Sequence, residues 1–421
     1  MLDITLLRNH PEEMEKKLMR KGIRAGAVAE VLALDEKKRK LISERDALKA
    51  RQNEASKRIP KLQGEEREKL LAEMKNIAEA GKQKEAELEE VMQKYTEKLM
   101  ALPNPPLDEV PDGGEDDGKV IDTWGEKPKF DFEPKQHWEI AEKLGILDTE
   151  RSAKVSGSRF YFLREELAIL QMALMNWAFL EIQKLGFSPT IPPFMTRKEA
   201  IVGTGFFEKD ENYCVNPGED DLYLIGTSEV PLTSFHADEI LEEDSLPRLF
   251  AGYSPCFRRE AGSYGKDMKG ILRVHQFEKI EMVAVCAPEQ SAEIHEKMRQ
   301  AEEYLLQQLG IPYRVVLIAA GDLGNSAAKK YDLEAWLPGQ GKFREMTSTS
   351  ICTDYQSRRL KIRIRRKDGT IEMAHTLNGT AVSSRPLIAI LENFQHADGS
   401  VDIPEVLRPF AGGLTRIERK K

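Results

Sequence analysis

The chain has 421 residues, of which 40% are hydrophobic and 32% are charged, and its formal net charge is −8. This length suggests two or three domains, and the hydrophobic content excludes disorder as the main state. Because the net charge is negative, any binding of nucleic acid must use a local basic surface.

The sequence contains no signal for export or for membrane insertion. Its first residues, MLDITLLRNHPEEMEKK, are too charged for a signal peptide, and no run of 18 apolar residues occurs. The four cysteines form no CxxC pair, which fits a reducing compartment. We therefore expect a soluble, cytoplasmic protein without disulfides or contact with a membrane.

Residues 31–102 are predicted to form a long antiparallel helical hairpin, interrupted by Pro60 and Gly64. Apolar residues recur at heptad spacing along one narrow seam, as expected for two helices that pack only on each other. The predicted seam positions are Leu34, Leu41, Leu48 and Ala55 in the first helix, and Leu70, Met74, Ile77, Gly81, Lys84, Leu88, Val91, Tyr95, Lys98 and Leu102 in the second.

Charge is distributed unevenly over this hairpin. Residues 35–61 contain ten Lys and Arg against five Asp and Glu, whereas residues 65–98 contain seven basic against ten acidic residues. A solvated spacer or a dimerisation rod would explain the pattern. The alternative is an arm whose basic helix lies along a phosphate backbone.

A change of composition separates this hairpin from the rest of the chain. Residues 103–120 are rich in Pro, Gly and acidic side chains, which predicts a linker between an N-terminal domain, 1–102, and a larger domain, 121–421. In the larger domain, helices are predicted at about 165–185 and 291–309, and strands at 256–260, 271–285, 314–318 and 361–365. Because these strands look connected by hairpins, we expect an antiparallel α+β fold.

The densest group of functional side chains lies in residues 256–281. Arg258 and Glu260 are spaced to project from one face of a strand, and so are Arg273, His275, Phe277, Lys279 and Glu281 on the next strand. Cations, carboxylates and an aromatic ring on one face could bind an anionic, planar ligand. A solvated ladder of salt bridges around a core phenylalanine is the alternative. No GxxxxGK[ST] or GxGxxG loop, HIGH or KMSKS motif is present.

Several motifs give the chain a specific resemblance. The segment Phe257-Arg258-x-Glu260 resembles motif 2 of class II aminoacyl-tRNA synthetases, and Thr227-Ser228-Glu229 resembles the amino-acid-binding TSE loop of seryl-tRNA synthetases. Residues 321–338, 344–348, 375–380 and 385–393 are also similar to that family, and 186–193 resembles its motif 1. The resemblance to bacterial-type seryl-tRNA synthetases covers essentially the whole chain. It implies a class II catalytic domain preceded by a coiled-coil arm.

The resemblance also implies the site residues. Arg258, Glu260 and Arg385 would be catalytic. L-Serine would contact Thr227, Ser228, Glu229, Glu281, Asn378 and Thr380. ATP would contact Arg258, Arg259, Glu260, Arg273, Val274, Phe277, Glu345, Met346, Thr347, Ser348 and Arg385, with Mg²⁺ bound by Glu345 and Ser348 and no zinc.

The implied activity is the ATP-dependent attachment of serine to tRNA(Ser), and also to tRNA(Sec), through a seryl-adenylate, by a homodimer. Phosphate charge would be stabilised by Arg258, Mg²⁺ and Lys266 or Lys269. His275 is interpreted as structural or as facing tRNA, and Cys256 and Cys352 as small core residues. Two alternatives are a ligase that loads amino acids onto a carrier protein and a coiled-coil scaffold with a nucleotide-binding remnant. Retention of the basic arm argues against the first, and retention of the charged site residues argues against the second.

Overall fold

A computed structural model describes residues 1–206, 212–215, 218–219, 221–260 and 269–419 of the chain. The chain divides into two compact units, Met1–Pro105 and Pro106–Lys421. Each unit has its own arrangement of secondary structure, and the candidate site lies in the second.

The first unit consists of helices only. Asp3 caps the first helix by accepting a hydrogen bond from the Thr5 amide, and Pro11 occupies the first turn of the second. Asp35 is buried and accepts both Nε (2.8 Å) and Nη2 (2.9 Å) of Arg8, which ties the third helix to the first. The helices are α1 (Ile4–Asn9), α2 (Pro11–Met19), α3 (Ala27–Arg58) and α4 (Gly64–Ala101).

Helices α3 and α4 form the predicted antiparallel hairpin. Leu41, Leu88 and Val91 are buried together at its seam, and Ile59–Lys61 form a 3₁₀ turn at the predicted break. The predicted seam is wrong at Lys98, which is exposed, whereas Leu99 is buried. A step of four residues from Tyr95 therefore replaces the predicted step of three, as the 3.6-residue helical repeat permits.

The second unit combines a large sheet with helices packed against it. The helices are α5 (His137–Leu144), α6 (Thr149–Ser156), α7 (Glu165–Lys184), α8 (Lys198–Thr204), α9 (Glu229–Thr233), α10 (Ser291–Gln308), α11 (Tyr355–Leu360) and α12 (Arg385–Asn393). The strands are β1 (Lys119–Trp124), β2 (Leu147–Asp148), β3 (Phe162–Leu163), β4 (Ser188–Thr190), β5 (Met195–Arg197), β6 (Cys214–Val215), β7 (Leu222–Leu224), β8 (Ile240–Glu242), β9 (Arg248–Phe257), β10 (Gln276–Cys286), β11 (Tyr313–Leu317), β12 (Lys329–Leu337), β13 (Lys342–Thr353), β14 (Arg363–Arg365), β15 (Ile371–Met373), β16 (His375–Ser383), β17 (Val401–Asp402) and β18 (Arg416–Ile417).

The large sheet has the strand order β1-β11-β12-β13-β16-β10-β9-β4. Its pairs are antiparallel except that of β4 with β9, so the predicted antiparallel α+β class is confirmed. Apolar residues of α7, α10 and α12 pack with the sheet in one core. The central strands β13, β16 and β10 each contribute side chains to the candidate site.

The segment predicted as a linker, 103–120, packs in the second unit at Leu107 and Val110, whereas most residues from 112 to 120 are exposed. Val110 is buried in a cluster with Val316, Ile318 and Leu323, and the Leu107 amide donates to the Ala328 carbonyl (2.9 Å). The strand β1 begins at Lys119, inside the predicted linker. The composition of the segment, rich in proline and acidic residues, predicted a linker and gave no indication that Leu107 and Val110 would pack in the core.

Three predicted strands differ from the observed ones. The strand predicted at 256–260 ends at Phe257, because its partner there, Gln276, is the first residue of β10. Glu260, beyond this end, adopts a left-handed backbone with φ of 51°. The strand predicted at 271–285 begins only at Gln276. The predicted strand at 361–365 is observed at Arg363–Arg365, but it pairs with β15 and, in parallel, with β8 in a separate small sheet.

Candidate active site

A cavity of about 450 Å³ opens over the central strands of the large sheet. Every residue that the sequence analysis assigned to serine, ATP or metal lines this cavity, except Ser228 and Arg259. The lining comes from distant parts of the chain, since Thr227, Arg258, Glu281, Glu345 and Thr380 lie on different elements. The fold therefore brings one chemically mixed set of side chains to a single place.

The two exceptions lie beside the cavity and differ in burial. Ser228 is buried, and its hydroxyl donates to the Gly252 carbonyl (2.8 Å), which fastens the start of α9 to β9. Arg259 is exposed and lies outside the cavity lining. Of the two lysines considered for phosphate, Lys266 lies outside the described residues. The Lys269 ammonium lies 4.2 Å from the centre of the Trp138 ring and outside the lining.

Strand β10 orders the centre of the site. Phe277, Lys279 and Glu281 alternate along it, and all three line the cavity, as the two-residue period of a strand requires. The Arg258 guanidinium lies over the Phe277 ring, 5.2 Å from its centre. One end of this row is therefore aromatic and cationic, whereas the other is acidic.

Arg258 is held in place although it lies just beyond β9. Its amide donates to the His275 carbonyl (2.9 Å), and its Nε donates to the Gly226 carbonyl (3.1 Å). In return, His275 Nδ1 lies 2.9 Å from the Arg258 carbonyl, which makes Nδ1 the donor. These contacts support the structural interpretation of His275. The prediction that Arg258, Glu260, Arg273 and His275 project from strands is wrong, because all four lie outside β9 and β10.

Glu260 and Arg273 meet at the edge of the cavity. The Arg273 Nη1 donates to Glu260 Oε2 (2.9 Å), so this pair joins the end of the β9 segment to the segment that enters β10. The left-handed backbone of Glu260 turns its side chain toward Arg273. Both side chains line the cavity together with Val274, which is buried.

The acidic end of the cavity contains two carboxyl groups in different surroundings. Glu229 Oε1 accepts hydrogen bonds from the side-chain amides of Gln356 (2.8 Å) and Asn378 (2.8 Å). Burial, together with the nearby charge of Glu281, raises the pKa of Glu229 to about 8. Glu281 instead pairs directly with the Lys279 ammonium.

Hydroxyl groups complete this acidic end. Thr380 Oγ1 donates to Glu281 Oε2 (3.2 Å), and Lys279 Nζ donates to Thr227 Oγ1 (2.8 Å). Thr227, Lys279, Glu281 and Thr380 are all buried. They form a small polar pocket in which an ammonium group and a hydroxyl group could both find partners.

Opposite this pocket, Glu345 and Arg385 form an ion pair at the other wall. The Arg385 Nη1 lies 3.1 Å from Glu345 Oε2 and donates to the Glu345 carbonyl (3.0 Å). Burial opposes ionisation of Glu345, but attraction to Arg385 and Lys330 outweighs it and lowers the pKa of Glu345 to about 2. Glu345 is therefore an ionised carboxylate at the cavity wall.

Sequence reasoning missed several residues of the site. Lys330 lines the cavity and pairs with Asp332 (2.9 Å), and burial raises the pKa of Asp332 to about 7 despite that lysine. Glu302 of α10 lies behind the cavity and accepts the Thr347 hydroxyl (2.8 Å). The position of Lys279 between Phe277 and Glu281 was visible in the alternation of β10, whereas nothing local in sequence indicates Glu302.

The described residues contain no group of three or more His, Cys, Asp or Glu side chains that could hold a metal ion. Among the residues that line the cavity, Glu345 and Ser348 remain available as oxygen ligands that would need completion by a substrate and water. The four cysteines are free thiols. In the portion of the chain that the structure covers, no helix is long and apolar enough to cross a membrane.

Family models match both units of the chain. A seryl-tRNA synthetase N-terminal domain matches residues 1–106, and a tRNA synthetase class II core domain (G, H, P, S and T) matches residues 210–394.

Similar proteins cover the full length of the chain. The serine–tRNA ligase of Thermobifida fusca is 47% identical over 98% of both chains. A crystal structure of seryl-tRNA synthetase from Pyrococcus horikoshii complexed with ATP is 43% identical, with a TM-score of 0.93 over 100% of both chains. The cytoplasmic serine–tRNA ligase from Naegleria fowleri in complex with AMP is 37% identical, with a TM-score of 0.87 over 100% of this chain and 99% of that one. The chain therefore belongs to the seryl-tRNA synthetase family, and it is a class II enzyme that ligates serine to tRNA.

Proposed function

We propose that the cavity binds ATP and L-serine side by side and joins them as seryl-adenylate. The observation that carries this proposal is the order of side chains along β10. Phe277 with Arg258 above it forms an aromatic and cationic end, and Glu281 with Thr380 forms an acidic, hydroxyl-bearing end. A nucleotide matches the first end, and an amino acid with an ammonium and a hydroxyl group matches the second.

ATP is assigned to the end formed by Arg258, Phe277 and Arg385. The adenine would stack on Phe277, and the planar guanidinium of Arg258 would bind the α-phosphate. ATP or AMP in two structures of similar proteins supports this assignment. Further contacts are proposed from the lining residues Glu260, Arg273, Val274, Glu345, Met346, Thr347 and Ser348.

L-Serine is assigned to the pocket of Thr227, Glu229, Glu281, Asn378 and Thr380. Its ammonium would lie between the two carboxyl groups, and its hydroxyl would reach Thr380 and Glu281. Alanine would leave these buried polar groups without partners, which disfavours it. Ser228 acts indirectly in this proposal, since its hydroxyl holds the loop against β9.

Mg²⁺ is assigned to Glu345 and Ser348 together with the phosphate oxygens of ATP. The ionised Glu345 fits a hard cation that prefers oxygen ligands. When bound, the ion would offset the negative charge of the phosphates. The Arg385–Glu345 pair would hold this carboxylate in position before ATP arrives.

The reaction follows from positioning and electrostatic stabilisation. An oxygen of the serine carboxylate attacks the α-phosphorus, and pyrophosphate leaves as the mixed anhydride forms. A hydroxyl of the terminal ribose of tRNA then attacks the seryl carbonyl, and AMP leaves. Arg258 binds the α-phosphate as charge develops there, so no protein nucleophile is required.

The helical hairpin is proposed to bind tRNA(Ser), and tRNA(Sec) as a second acceptor. Basic residues outnumber acidic ones in 35–61, and exposed basic side chains such as Lys49, Lys57 and Arg58 lie along α3. Such a helix would bind the phosphate backbone of an RNA without recognising the nucleotide sequence. The 1–102 part of the chain would then select tRNA, while the 121–421 part carries out the chemistry.

A homodimer is proposed through the exposed face of α7 and the segment after β4. Ile169, Met172 and Leu180 lie on one side of α7, and Met172 is 62% exposed. Ile191, which follows β4, is 67% exposed. Sedimentation equilibrium should give twice the chain mass, and Met172→Glu should shift it toward the monomer.

The test of the site is ATP–pyrophosphate exchange with serine, alanine, threonine and glycine. We expect serine to be the only efficient substrate. Arg258→Ala should lower the exchange rate about 100-fold, since it removes a charge-assisted contact at the reacting phosphate. Arg248→Ala is the matched control, because this exposed arginine at the start of β9 lies outside the cavity lining and should retain most of the activity.

Two results would contradict these assignments. Equal exchange with alanine or threonine would exclude the proposed serine pocket. A normal rate in folded Arg258→Ala would remove this residue from the mechanism.

A further inference from the structure

Lys279 is a buried cation inside the candidate site that none of the roles above uses. It is only 5% exposed, it lines the cavity, and its ammonium pairs with Glu281 and donates to Thr227 Oγ1 (2.8 Å). Burying an ammonium group is costly unless it is well paired. A buried ammonium group in a substrate pocket is therefore expected to have a function that offsets this cost.

The position of Lys279 on β10 indicates what it faces. It lies between Phe277, assigned to adenine, and Glu281, assigned to serine, about 7 Å along the strand from each. The bond that forms in the first reaction step joins the serine carboxylate to the α-phosphorus. Lys279 is therefore placed between the two subsites, where the carboxylate of the amino acid must lie.

We propose that Lys279 binds the carboxylate of the amino-acid substrate, after the substrate ammonium has taken its place beside Glu281. This inference rests on the proposed function of the cavity. In the free enzyme, the Lys279 ammonium occupies the place beside Glu281 that the ammonium group of the amino acid would take. Binding then exchanges one internal ion pair for two pairs with the substrate.

This exchange keeps each buried charge compensated. Without Lys279, the pocket would contain Glu229, Glu281 and the substrate carboxylate around a single ammonium group. The displaced Lys279 ammonium would also keep Thr227 Oγ1 as an acceptor, which would hold it near its present position.

The other cations that line the described part of the cavity have different immediate partners. Arg273 pairs with Glu260 and Arg385 with Glu345, and Lys330 pairs with Asp332. The Arg258 Nε donates to the Gly226 carbonyl, and its guanidinium covers Phe277. Lys279 is the cation of this set that contacts both Thr227 and Glu281, which belong to the serine pocket.

The test compares L-serine with L-serinamide, which keeps the ammonium and hydroxyl groups but lacks the carboxylate charge. Binding to the full-length protein is measured by calorimetry at a slightly acidic pH, where both amines are protonated. The wild type should bind serine at least about tenfold more tightly than serinamide. In Lys279→Met, serine affinity should fall about 30-fold and serinamide affinity less than about threefold, because only serine loses a charge-assisted contact.

Two further variants separate this role from general electrostatics. Lys279→Arg keeps the charge and should retain most of the preference for serine over serinamide. Lys329→Met removes a buried lysine that lies outside the cavity lining and pairs with Glu109 (3.0 Å), and the ratio of the two affinities should stay at its wild-type value. Thermal unfolding of each variant checks that it is folded.

If Lys279→Met lowered the affinity for serine and for serinamide by the same factor, Lys279 would only support Glu281, and the proposal would be overturned. Equal affinity of the wild type for serine and serinamide would overturn it even if the Met variant did not fold. Serine-specific exchange by the wild type, measured in parallel, shows whether the proposed function holds when this inference fails.

Discussion

Glu229 and Glu281 show how two identical side chains can have different partners within one pocket. Glu281 has an ammonium group in direct contact, whereas Glu229 accepts hydrogen bonds from the neutral amides of Gln356 and Asn378. Neutral donors offset less of the cost of burying a negative charge than a cation does. Glu229 therefore holds a proton at neutral pH, and a substrate ammonium beside it would favour release of that proton.

The pH dependence of stability tests this assignment at the scale of one residue. The pKa of Glu229 rises from 4.5 to about 8 on folding. Its contribution to stability is fully present below about pH 4.5 and is lost as the pH rises toward about 8. Glu229→Gln has no such loss, so its unfolding temperature relative to wild type should increase by a few degrees between pH 5 and pH 8.

The measurement is thermal unfolding of both proteins across this pH range. Glu68→Gln, on the exposed surface of α4, controls for the loss of one carboxyl group. A constant difference between Glu229→Gln and wild type would mean that Glu229 ionises normally in the folded chain.

At the scale of elements, a buried network fixes the segment that returns into β10. His137 Nε2 accepts the Ile271 amide (3.2 Å), and its Nδ1 donates to Glu392 Oε1 (3.1 Å). Glu392 also accepts the amides of His137 (3.1 Å) and Gly339 (3.0 Å). Helices α5 and α12 thereby hold residues 271–274, which line the cavity.

Gly270 is the point at which this network tolerates no side chain. It has a φ of 76°, and an added Cβ would lie 2.0 Å from His137 Nε2. Gly270→Ala should therefore displace His137 and raise the KM for ATP in the exchange assay about tenfold, with a smaller effect on the KM for serine.

Gly145→Ala is the matched control for this prediction. Gly145 has a similar φ of 74°, but an added Cβ would meet nothing within 4 Å. Both variants introduce alanine at a positive φ, whereas only Gly270→Ala disturbs the cavity wall. If the two variants had the same KM for ATP, the network around His137 would have no part in positioning the site.

The elements also show how far the sequence alone could lead. Helices α7 and α10 were predicted to within one residue, because their periodic patterns and the turns that follow them are local signals. The end of β9 at Phe257 could not be predicted, since it depends on where the pairing with β10 stops in the folded chain. The alternation of Phe277, Lys279 and Glu281 was visible, but the pairing of Lys279 with Glu281 and Thr227 is a property of the folded chain.

At the scale of the whole molecule, the question is whether the basic residues of the hairpin stabilise the hairpin itself or bind a ligand. Two basic residues of α3 pair with acidic residues of α4: Arg51 with Glu73 (2.9 Å) and Lys37 with Glu87 (3.2 Å). Exposed ion pairs of this kind contribute little to stability. The excess of basic residues in 35–61 is therefore better explained by a ligand than by the hairpin itself.

The structure indicates where the hairpin can be shortened. Leu41, Leu88 and Val91 form a buried cluster near its base, and Lys84 pairs with Glu44 (2.8 Å) just beyond it. Replacing residues 47–82 by a short Gly/Ser connector removes the distal part and keeps both contacts. Because every described residue that lines the cavity belongs to the second unit, seryl-adenylate formation should stay within about twofold of wild type. Charging of tRNA(Ser), measured on the same preparation, should fall at least about 100-fold.

A charge-only variant distinguishes loss of shape from loss of contacts. Replacing Lys49, Lys57 and Arg58 of α3 by Gln keeps the hairpin and should weaken tRNA binding, with a shallower dependence on salt. The same change at Lys69, Lys75 and Lys82 of α4 is the matched control and should have a smaller effect, because acidic residues outnumber basic ones in 65–98. If exchange fell together with charging in the shortened chain, the hairpin would support the catalytic unit. Unchanged charging would mean that tRNA is bound elsewhere, with the exposed Arg259 as the first residue to test.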